Sequence, residues 1–428
     1  MTSGFTPPVA VFDNYWATTL AFARSLGRQG VPLHFYGSGA GRWSRYCTRH
    51  FSCPPVEDFG RFLPWLREKI RSGDITRVAP TTDLIAYYAS RLRDEFSPEV
   101  KRTIAPLAEI ESCLIKTRFA GLCSIAGHPP LATAAPDDLD GALATGSEWG
   151  YPVILKPKSH LVVGSAERGR LVRNAAELRR YYHPYKVHPG QEGLAAIYPE
   201  LCWPLIQQYV PSARQRVYSV SGVKDADGGV LAASVSYKRE QWPPDVGVST
   251  VQIACDDARI LEAGLQVVDR LLSCGIFELE LVTDRDRLYA IDLNPRAFGF
   301  IALDIARGAD LPWLWFCSTV GETQSWVRQT PRVALAARDG LIHFMKRLAG
   351  RRARNDAGLR KERRKSSLPR ATISMLGDWS DPLPMLISHL YLLRHPRNLS
   401  RARAAREREA GEAGEAGEAG EASDAPAR

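Results

Sequence analysis

The most chemically informative segment of this 428-residue chain runs from residue 277 to residue 296, where acidic and apolar side chains alternate. Side chains two residues apart share one face of a β-strand. The segment therefore predicts two strands joined by a polar turn at residues 284–286, with an apolar face behind them. Glu280, Asp292 and Asn294 converge on the opposite, polar face of this hairpin.

Two carboxylates and one amide oxygen make an oxygen-only donor set, which suits Mg²⁺ or Mn²⁺ and not zinc. We prefer Glu280 to Glu278 because its separation from Asp292 fits a compact hairpin; Glu278 lies on the same face and remains the alternative. Arg296 follows two residues after Asn294 and can meet a phosphate or a carboxylate in fork geometry. An ordinary hairpin with one solvated acidic face is the competing interpretation.

The elements that precede this hairpin indicate an α/β organisation. The first 36 residues show strand, helix and strand patterns in turn, which predicts a β-α-β unit. Residues 13–17, after its first strand, lack the glycines of a dinucleotide site, which argues against a dehydrogenase. Residues 78–80 predict another strand, and the polar residues 81–83 at its end either line a ligand crevice or cap a helix.

Composition favours a soluble globular protein with 45% hydrophobic residues. No apolar run reaches the roughly 18–20 residues of a membrane span, and the N-terminus lacks a signal-peptide pattern. The eight cysteines are scattered without a CxxC pair. This argues against a zinc ribbon or a disulfide framework and predicts a reducing, cytoplasmic location.

The net charge of +9 is concentrated in residues 338–370, which hold twelve Lys or Arg and three Asp or Glu. The remaining chain is neutral overall, so we expect no nucleic-acid partner for the main body. The basic segment either makes a peripheral contact with an anionic surface or acidic partner, or is a solvated stretch. Residues 410–421 repeat Ala-Gly-Glu four times and are predicted to be disordered.

Five motifs follow one another in a recognisable order. They are a lysine that opens a helix (Lys116), a proline-containing break (128–130), a strand ending in a second lysine (Lys156), an apolar strand ending at residues 207–210, and Asp-x-Asn-Pro-Arg at 292–296. In this order the chain resembles the ATP-grasp superfamily, and more closely its carboxylate–amine ligase-like branch. The resemblance covers roughly residues 5–325.

The resemblance implies an α/β (α+β) fold in which an N-terminal Rossmann-like pre-ATP-grasp domain precedes a two-subdomain ATP-grasp fold, with a partly disordered C-terminal tail. The implied boundaries are 1–110 for the N-terminal domain, 111–206 for the subdomain with the lid, 207–330 for the subdomain with the metal site, 331–400 for a basic extension and 401–428 for the disordered tail.

The same resemblance implies that ATP lies between the two subdomains. Lys116 and Lys156 would reach its phosphates as compact point charges. Gln207, Gln208, Tyr209 and Val210 would form the hinge against which adenine lies. The family usually places an acidic residue near this hinge, where this chain has glutamines.

The metal and reaction centre would combine the acidic hairpin with basic residues. Glu280, Asp292 and Asn294 would hold Mg²⁺ or Mn²⁺, although the family more often has Glu at the position of Asp292. Arg296 would steady the transferred phosphoryl group or acyl phosphate. Lys238 or Arg239 would neutralise the substrate carboxylate or the γ-phosphate; a charged strand end is the alternative for this pair.

The implied activity is that of an ATP-dependent ligase. It would join a small-molecule carboxylate to an amine, for instance an amino acid or a peptide, through an acyl phosphate, and release ADP and phosphate. A kinase or phosphoryl transferase that uses the same nucleotide site is one alternative. A non-catalytic nucleotide-binding protein is another.

Overall fold

The computed structural model describes residues 6–12, 16–125, 128–164, 169–214, 216–242, 246–322, 335–338 and 371–394. The predicted disordered tail (401–428) and nearly all of the basic segment (338–370) lie outside these residues.

A three-stranded parallel sheet begins the fold, with its strands in the order β1-β2-β3. The predicted β-α-β unit is confirmed: helix α1 connects the first two strands, which pair in parallel from Val9 opposite Leu33 to Phe12 opposite Tyr36. Val78 adds a single bridge to Ala10 in place of the predicted strand. The elements are β1 (Val9–Phe12), α1 (Trp16–Arg28), β2 (Leu33–Tyr36) and β3 (Cys47–Phe51).

Helices follow this sheet and lead to the first lysine of the motif series. Thr82 caps helix α3, because its side chain accepts a hydrogen bond from the Ile85 N–H. Helix α6 begins at Lys116, as predicted. The helices are α2 (Phe59–Arg71), α3 (Asp83–Arg91), α4 (Pro98–Lys101), α5 (Leu107–Leu114) and α6 (Lys116–Leu122).

A four-stranded antiparallel sheet comes next, in the order β4-β7-β5-β6. Its two central strands are those predicted to carry Lys156 and the hinge. The elements are β4 (Thr133–Ala134), α7 (Leu139–Trp149), β5 (Val153–Pro157), α8 (His160–Val163), β6 (Arg170–Val172), α9 (Ala175–Tyr181), α10 (Glu192–Ile197) and β7 (Pro204–Gln208).

The largest sheet has seven strands in the order β12-β11-β8-β9-β10-β13-β14. Its neighbours pair antiparallel, except β13 and β14, which are parallel. The elements are β8 (Val217–Lys224), β9 (Val230–Trp242), β10 (Val248–Cys255), α11 (Ala258–Leu271), β11 (Gly275–Asp284), β12 (Arg287–Asn294), α12 (Ile301–Ala306), α13 (Leu311–Thr319), β13 (Leu335–Arg338), β14 (Ala371–Ser374) and α14 (Leu383–Arg394).

The predicted acidic hairpin is the pair β11 and β12. Its turn consists of Arg285 and Asp286, and Arg285 has a left-handed backbone with φ 53°. Helix α11 packs on the apolar side of this sheet. It approaches closely at Gly264, where an added Cβ would lie 2.5 Å from the Val220 side chain. Helix α11 therefore packs closely against the face of the sheet opposite the polar residues of the hairpin.

Among the residues that the structure describes, no helix combines the length and the apolar character needed to cross a membrane.

A buried ion pair fastens the last described segment to the N-terminal domain. The Arg24 Nε atom lies 3.0 Å from Asp381 Oδ2, with side-chain exposures of 5% and 2%. Ser44 Oγ and the Arg45 N–H donate to the same carboxylate, each at 2.8 Å. Three donors thus hold the Asp381 carboxylate: the Arg24 side chain from helix α1, and Ser44 and Arg45 from the connection between β2 and β3.

We expect Asp381→Ala to lower the free energy of unfolding by about 3–5 kcal/mol, because it leaves the Arg24 guanidinium buried without its carboxylate. Urea denaturation measures the change. The matched control is Asp74→Ala, which breaks an ion pair with Lys69 whose side chains are 32% and 55% exposed; its loss should be below about 1 kcal/mol. Equal losses in the two variants would contradict this assignment.

Candidate active site

The hairpin register brings four polar side chains onto one face. Glu280 lies directly opposite Asp292, and Glu278 lies opposite Asn294. All four side chains line a cavity of about 330 Å³. The convergence that the alternation predicts is therefore present in the fold.

Each carboxylate of the first pair has its own lysine partner. Lys238 Nζ donates to Glu280 Oε1 at 2.5 Å, and Lys116 Nζ donates to Asp292 Oδ1 at 2.5 Å. Burial alone would raise the pKa of Asp292, but the Lys116 charge holds that pKa below its usual range. In the same way the Glu280 charge outweighs burial and raises the pKa of Lys238. Each ion pair thus stabilises the charged form of the group whose pKa it shifts, Asp292 in one pair and Lys238 in the other.

Glu278 is held differently. Ser219 Oγ donates to it at 2.6 Å and Asn294 Nδ2 donates at 2.7 Å. Burial, together with the neighbouring Glu280 charge, raises the pKa of Glu278 to about 7. Of the acidic residues on this face, Glu278 is thus the one whose protonation changes near neutral pH.

Arg296 connects the end of the hairpin to the N-terminal domain. Its Nε donates to Asp83 Oδ1 at 2.5 Å, and its Nη2 donates to Asn294 Oδ1 at 2.9 Å. Burial alone would raise the pKa of Asp83, but the Arg296 charge keeps that pKa below its usual range. A guanidinium has five N–H donors. Besides the two already named, one N–H of Arg296 donates to the Ala297 carbonyl. The other two N–H groups have no acceptor among the described residues and can serve a ligand.

Asp83 is a residue of this site that the sequence indicated only in part. The polar end of residues 81–83 predicts a ligand crevice, and Thr81, Thr82 and Asp83 all line the 330 Å³ cavity. The pairing of Asp83 with Arg296 joins residues 213 positions apart. No spacing pattern along the chain encodes such a contact.

Lys156 lies on the neighbouring sheet, and its Nζ donates to Gln207 Oε1 at 2.8 Å. Burial, followed by the nearby Lys116 charge, lowers the pKa of Lys156 to about 8. The two lysines are brought near each other because the Lys116 N–H donates to the Lys158 carbonyl at 2.8 Å, just beyond strand β5. Lys116 and Lys156, which were predicted separately to reach the phosphates, are therefore close to each other in the structure.

The predicted hinge borders a second, smaller cavity of about 70 Å³. Gln207, Gln208 and Val210 line it, whereas Tyr209 lines neither of the two cavities. Much of the remaining wall is apolar: Leu131, Ile154, Val217, Val246, Val282 and Ile291. Lys238 and Glu280 line both cavities, so the two spaces meet at this ion pair.

Arg239, like Tyr209, lines neither of the two cavities. It follows Lys238 in strand β9 at an irregularity in the pairing with β10, where Gln252 is opposite Lys238 and Val251 is opposite Glu240.

The segment in the position of the predicted lid begins with a short helix. Residues 160–163 form α8, and Leu161, Val162 and Val163 are buried in the large core cluster. The His188 N–H donates to the Val162 carbonyl at 2.9 Å. Residues 159–164 therefore form a packed wall of the larger cavity, and residues 165–168 lie outside the described ranges.

Within the described ranges, no group of three His, Cys, Asp or Glu side chains gathers into a ready-made metal cage. Magnesium is usually held by one or two carboxylates together with substrate phosphates. Glu280 and Asp292 face each other with ionised partners, and Asn294 adds an amide oxygen beside them. The donor set fits a magnesium ion.

The sequence and the structure of this chain were compared with those of known proteins. No family model matches the chain. The C-terminal section of the carbamoyl phosphate synthase large chain from Methanopyrus kandleri is 25% identical over 194 residues, which are 42% of this chain and 32% of that protein. This chain therefore spans about a third of the length of that relative.

Two solved structures are similar over most of the chain. The biotin carboxylase domain of Hydrogenobacter thermophilus 2-oxoglutarate carboxylase, in complex with MgADP, ADP and bicarbonate, has a TM-score of 0.57 at 16% identity, covering 75% of this chain and 71% of that one. L-amino acid ligase from Bacillus licheniformis has a TM-score of 0.53 at 16% identity, covering 78% and 79%. This chain has the ATP-grasp fold, so the fold predicted from the order of the motifs is confirmed.

We expect ATP binding to weaken as the pH rises through about 8, because Lys156 is cationic below its pKa of about 8 and neutral above it. A neutral amine no longer offsets phosphate charge. Calorimetric titration of ATP into the nucleotide-free protein at pH values on either side of 8 measures this. Lys156→Gln should bind weakly without that inflection, while the exposed control Lys186→Gln should keep it. An unchanged inflection in Lys156→Gln would assign the titration to another group.

Proposed function

We propose that this chain is an ATP-dependent ligase that joins a small-molecule carboxylate to an amine through an acyl phosphate and releases ADP and phosphate. One observation carries the proposal. The ion pair of Lys238 with the hairpin residue Glu280 lines both the smaller, largely apolar cavity and the larger cavity, which Asp292 also lines. This is the arrangement needed to hold a nucleotide base on one side and an acceptor on the other, with the transferred phosphate between them.

The smaller cavity is suited to the adenine of ATP. Its walls are largely apolar, and Gln207 and Gln208 line it at the end of strand β7. Lys156 and Lys116 follow towards the hairpin and would neutralise the phosphates. When ATP enters, the phosphates compete with Gln207 for Lys156 and with Asp292 for Lys116, which releases oxygens of the protein for a cation.

We assign the metal site to Glu280, Asp292 and Asn294, with Mg²⁺ or Mn²⁺ as the ion. The ion would draw charge from the phosphate oxygens and so favour their displacement. Glu280 is preferred to Glu278 because Glu278 is already engaged by Ser219 and Asn294 and has a raised pKa. The chain of contacts from Glu278 through Asn294 to Arg296 keeps the amide oriented.

The larger cavity would take the carboxylate and the amine. A carboxylate oxygen attacks the γ-phosphorus and ADP leaves; the amine nitrogen then attacks the acyl carbon, phosphate leaves and the nitrogen gives up a proton. Arg296 and Lys238 line this cavity and can stabilise the negative charge on the transferred group. Amino acids and peptides fit the size of this space, and a cytoplasmic location fits the supply of ATP.

We expect Asp292→Asn to abolish ADP release that depends on a carboxylate substrate, because the variant loses a metal ligand and leaves Lys116 without its ionic partner. A screen of amino acids and short peptides with MgATP, followed by coupled ADP detection, measures this. Asp286→Asn in the exposed hairpin turn is the matched control and should keep the activity. Chelation of the metal should stop ADP release in the wild type and the control.

Product analysis distinguishes the proposal from its alternatives. The ligase forms an amide and free phosphate in equal amounts with ADP. A stable phosphorylated product would indicate a kinase instead. Normal turnover by Asp292→Asn would refute the metal assignment, and failure of the purified protein to bind MgATP would refute the enzyme as a whole.

A further inference from the structure

The Thr81 hydroxyl is an unusual polar group in the wall of the larger cavity. Thr81 is 1% exposed, and its Oγ1 has no hydrogen-bond partner within the described part of the chain. A buried hydroxyl without a partner costs free energy, so such groups need a reason. Because Thr81 lines the cavity, a bound ligand can supply the missing partner.

The start of helix α3 adds further donors at the same place. The first N–H groups of a helix have no acceptor within the helix. Thr82 Oγ1 accepts from the Ile85 N–H at 3.3 Å, whereas the N–H groups of Asp83 and Leu84 have no acceptor among the residues described. Residues 81–84 all line the cavity, and a helix N-terminus favours negative charge.

The Asp83 carboxylate at this helix start does not cancel the effect, because Arg296 pairs with it. A hydrogen bond of 2.8 Å from the Ala297 N–H to the Pro80 carbonyl holds the same turn against the end of the hairpin. The donor group around Thr81 is therefore fixed relative to the reaction centre. It is also separate from the lysines that serve the phosphates.

We propose that Thr81 and the N-terminus of helix α3 bind the non-reacting carboxylate of the amine substrate, so that this substrate is an amino acid rather than a simple amine. The inference rests on the proposed function and gives it a substrate class. Held at Thr81, the carboxylate would keep the amino group of the same molecule within the cavity that contains Arg296 and Asp292.

A carboxylate fits better than a second phosphate. The cations expected to neutralise phosphate, Lys116 and Lys156, contact Asp292 and Gln207 and do not line the larger cavity. At the α3 terminus the donors are one hydroxyl and backbone N–H groups, with Arg296 shared with Asp83 and His160 lining the same cavity. A directional set of this kind suits a singly charged, planar anion.

The test uses the full-length protein and direct binding. Calorimetric titration would compare the proteinogenic L-amino acids with their primary amides, which lack the carboxylate, and with inorganic phosphate. The variants are Thr81→Val, which keeps the shape and removes the hydroxyl, and Thr81→Ser, which keeps the hydroxyl. Thr19→Val is the matched control: Thr19 is also fully buried with an unpartnered Oγ1, but it does not line the cavity.

At least one L-amino acid should bind the wild type, Thr81→Ser and Thr19→Val alike, and bind Thr81→Val about tenfold more weakly, as expected for one lost hydrogen bond to a charged group. Its amide should bind weakly to all four proteins. Unchanged affinity in Thr81→Val, equal binding of the amide, Thr81-dependent binding of phosphate alone, or no binding of any amino acid would each overturn the proposal.

These binding outcomes are independent of turnover. ADP release with simple amines and no effect of Thr81→Val would keep the ligase and refute the carboxylate site. Thr81-dependent amino-acid binding in a protein that never releases ADP would keep the site and refute the ligase.

Discussion

The structure depends on how the acidic hairpin is neutralised. Three carboxylates on a single face repel one another when buried, and a fold stabilises them by supplying cations or by raising a pKa. Lys238 comes from the neighbouring part of the same sheet and Lys116 from the start of α6, and each takes one carboxylate. Glu278, which has no cation of its own in direct contact, shifts its pKa upwards instead.

This requirement also connects distant segments of the chain. Lys116 and Asp292 are 176 residues apart, and Arg296 and Asp83 are 213 residues apart, so each ion pair joins segments that the chain itself does not hold together. Under the proposed function, ATP with its metal ion would bring both negative phosphates and a cation into this network, and binding would exchange partners among these groups.

The sequence predicted the hairpin well because alternation of side chains has a period of two, which fixes which residues share a face. The start of α6 at Lys116 and the lysine strand β5 follow from equally local patterns. The pairing of Lys116 with Asp292, the link from Arg296 to Asp83 and the packed helix α8 could not be predicted in this way, because they depend on the docking of distant segments. Arg239 shows the converse: its type suggested chemistry, but it lines neither cavity.

Helix α8 limits how the site can close. Opening residues 160–163 away from the protein would expose Leu161, Val162 and Val163, which lie in the core with residues of the N-terminal domain. Each such side chain contributes about 1.5–3 kcal/mol on burial. Moving this wall would therefore cost several such contacts. Under the proposed function we expect Thr81 and Arg296, which line the same cavity, to contribute more to substrate selection than movement of residues 160–163.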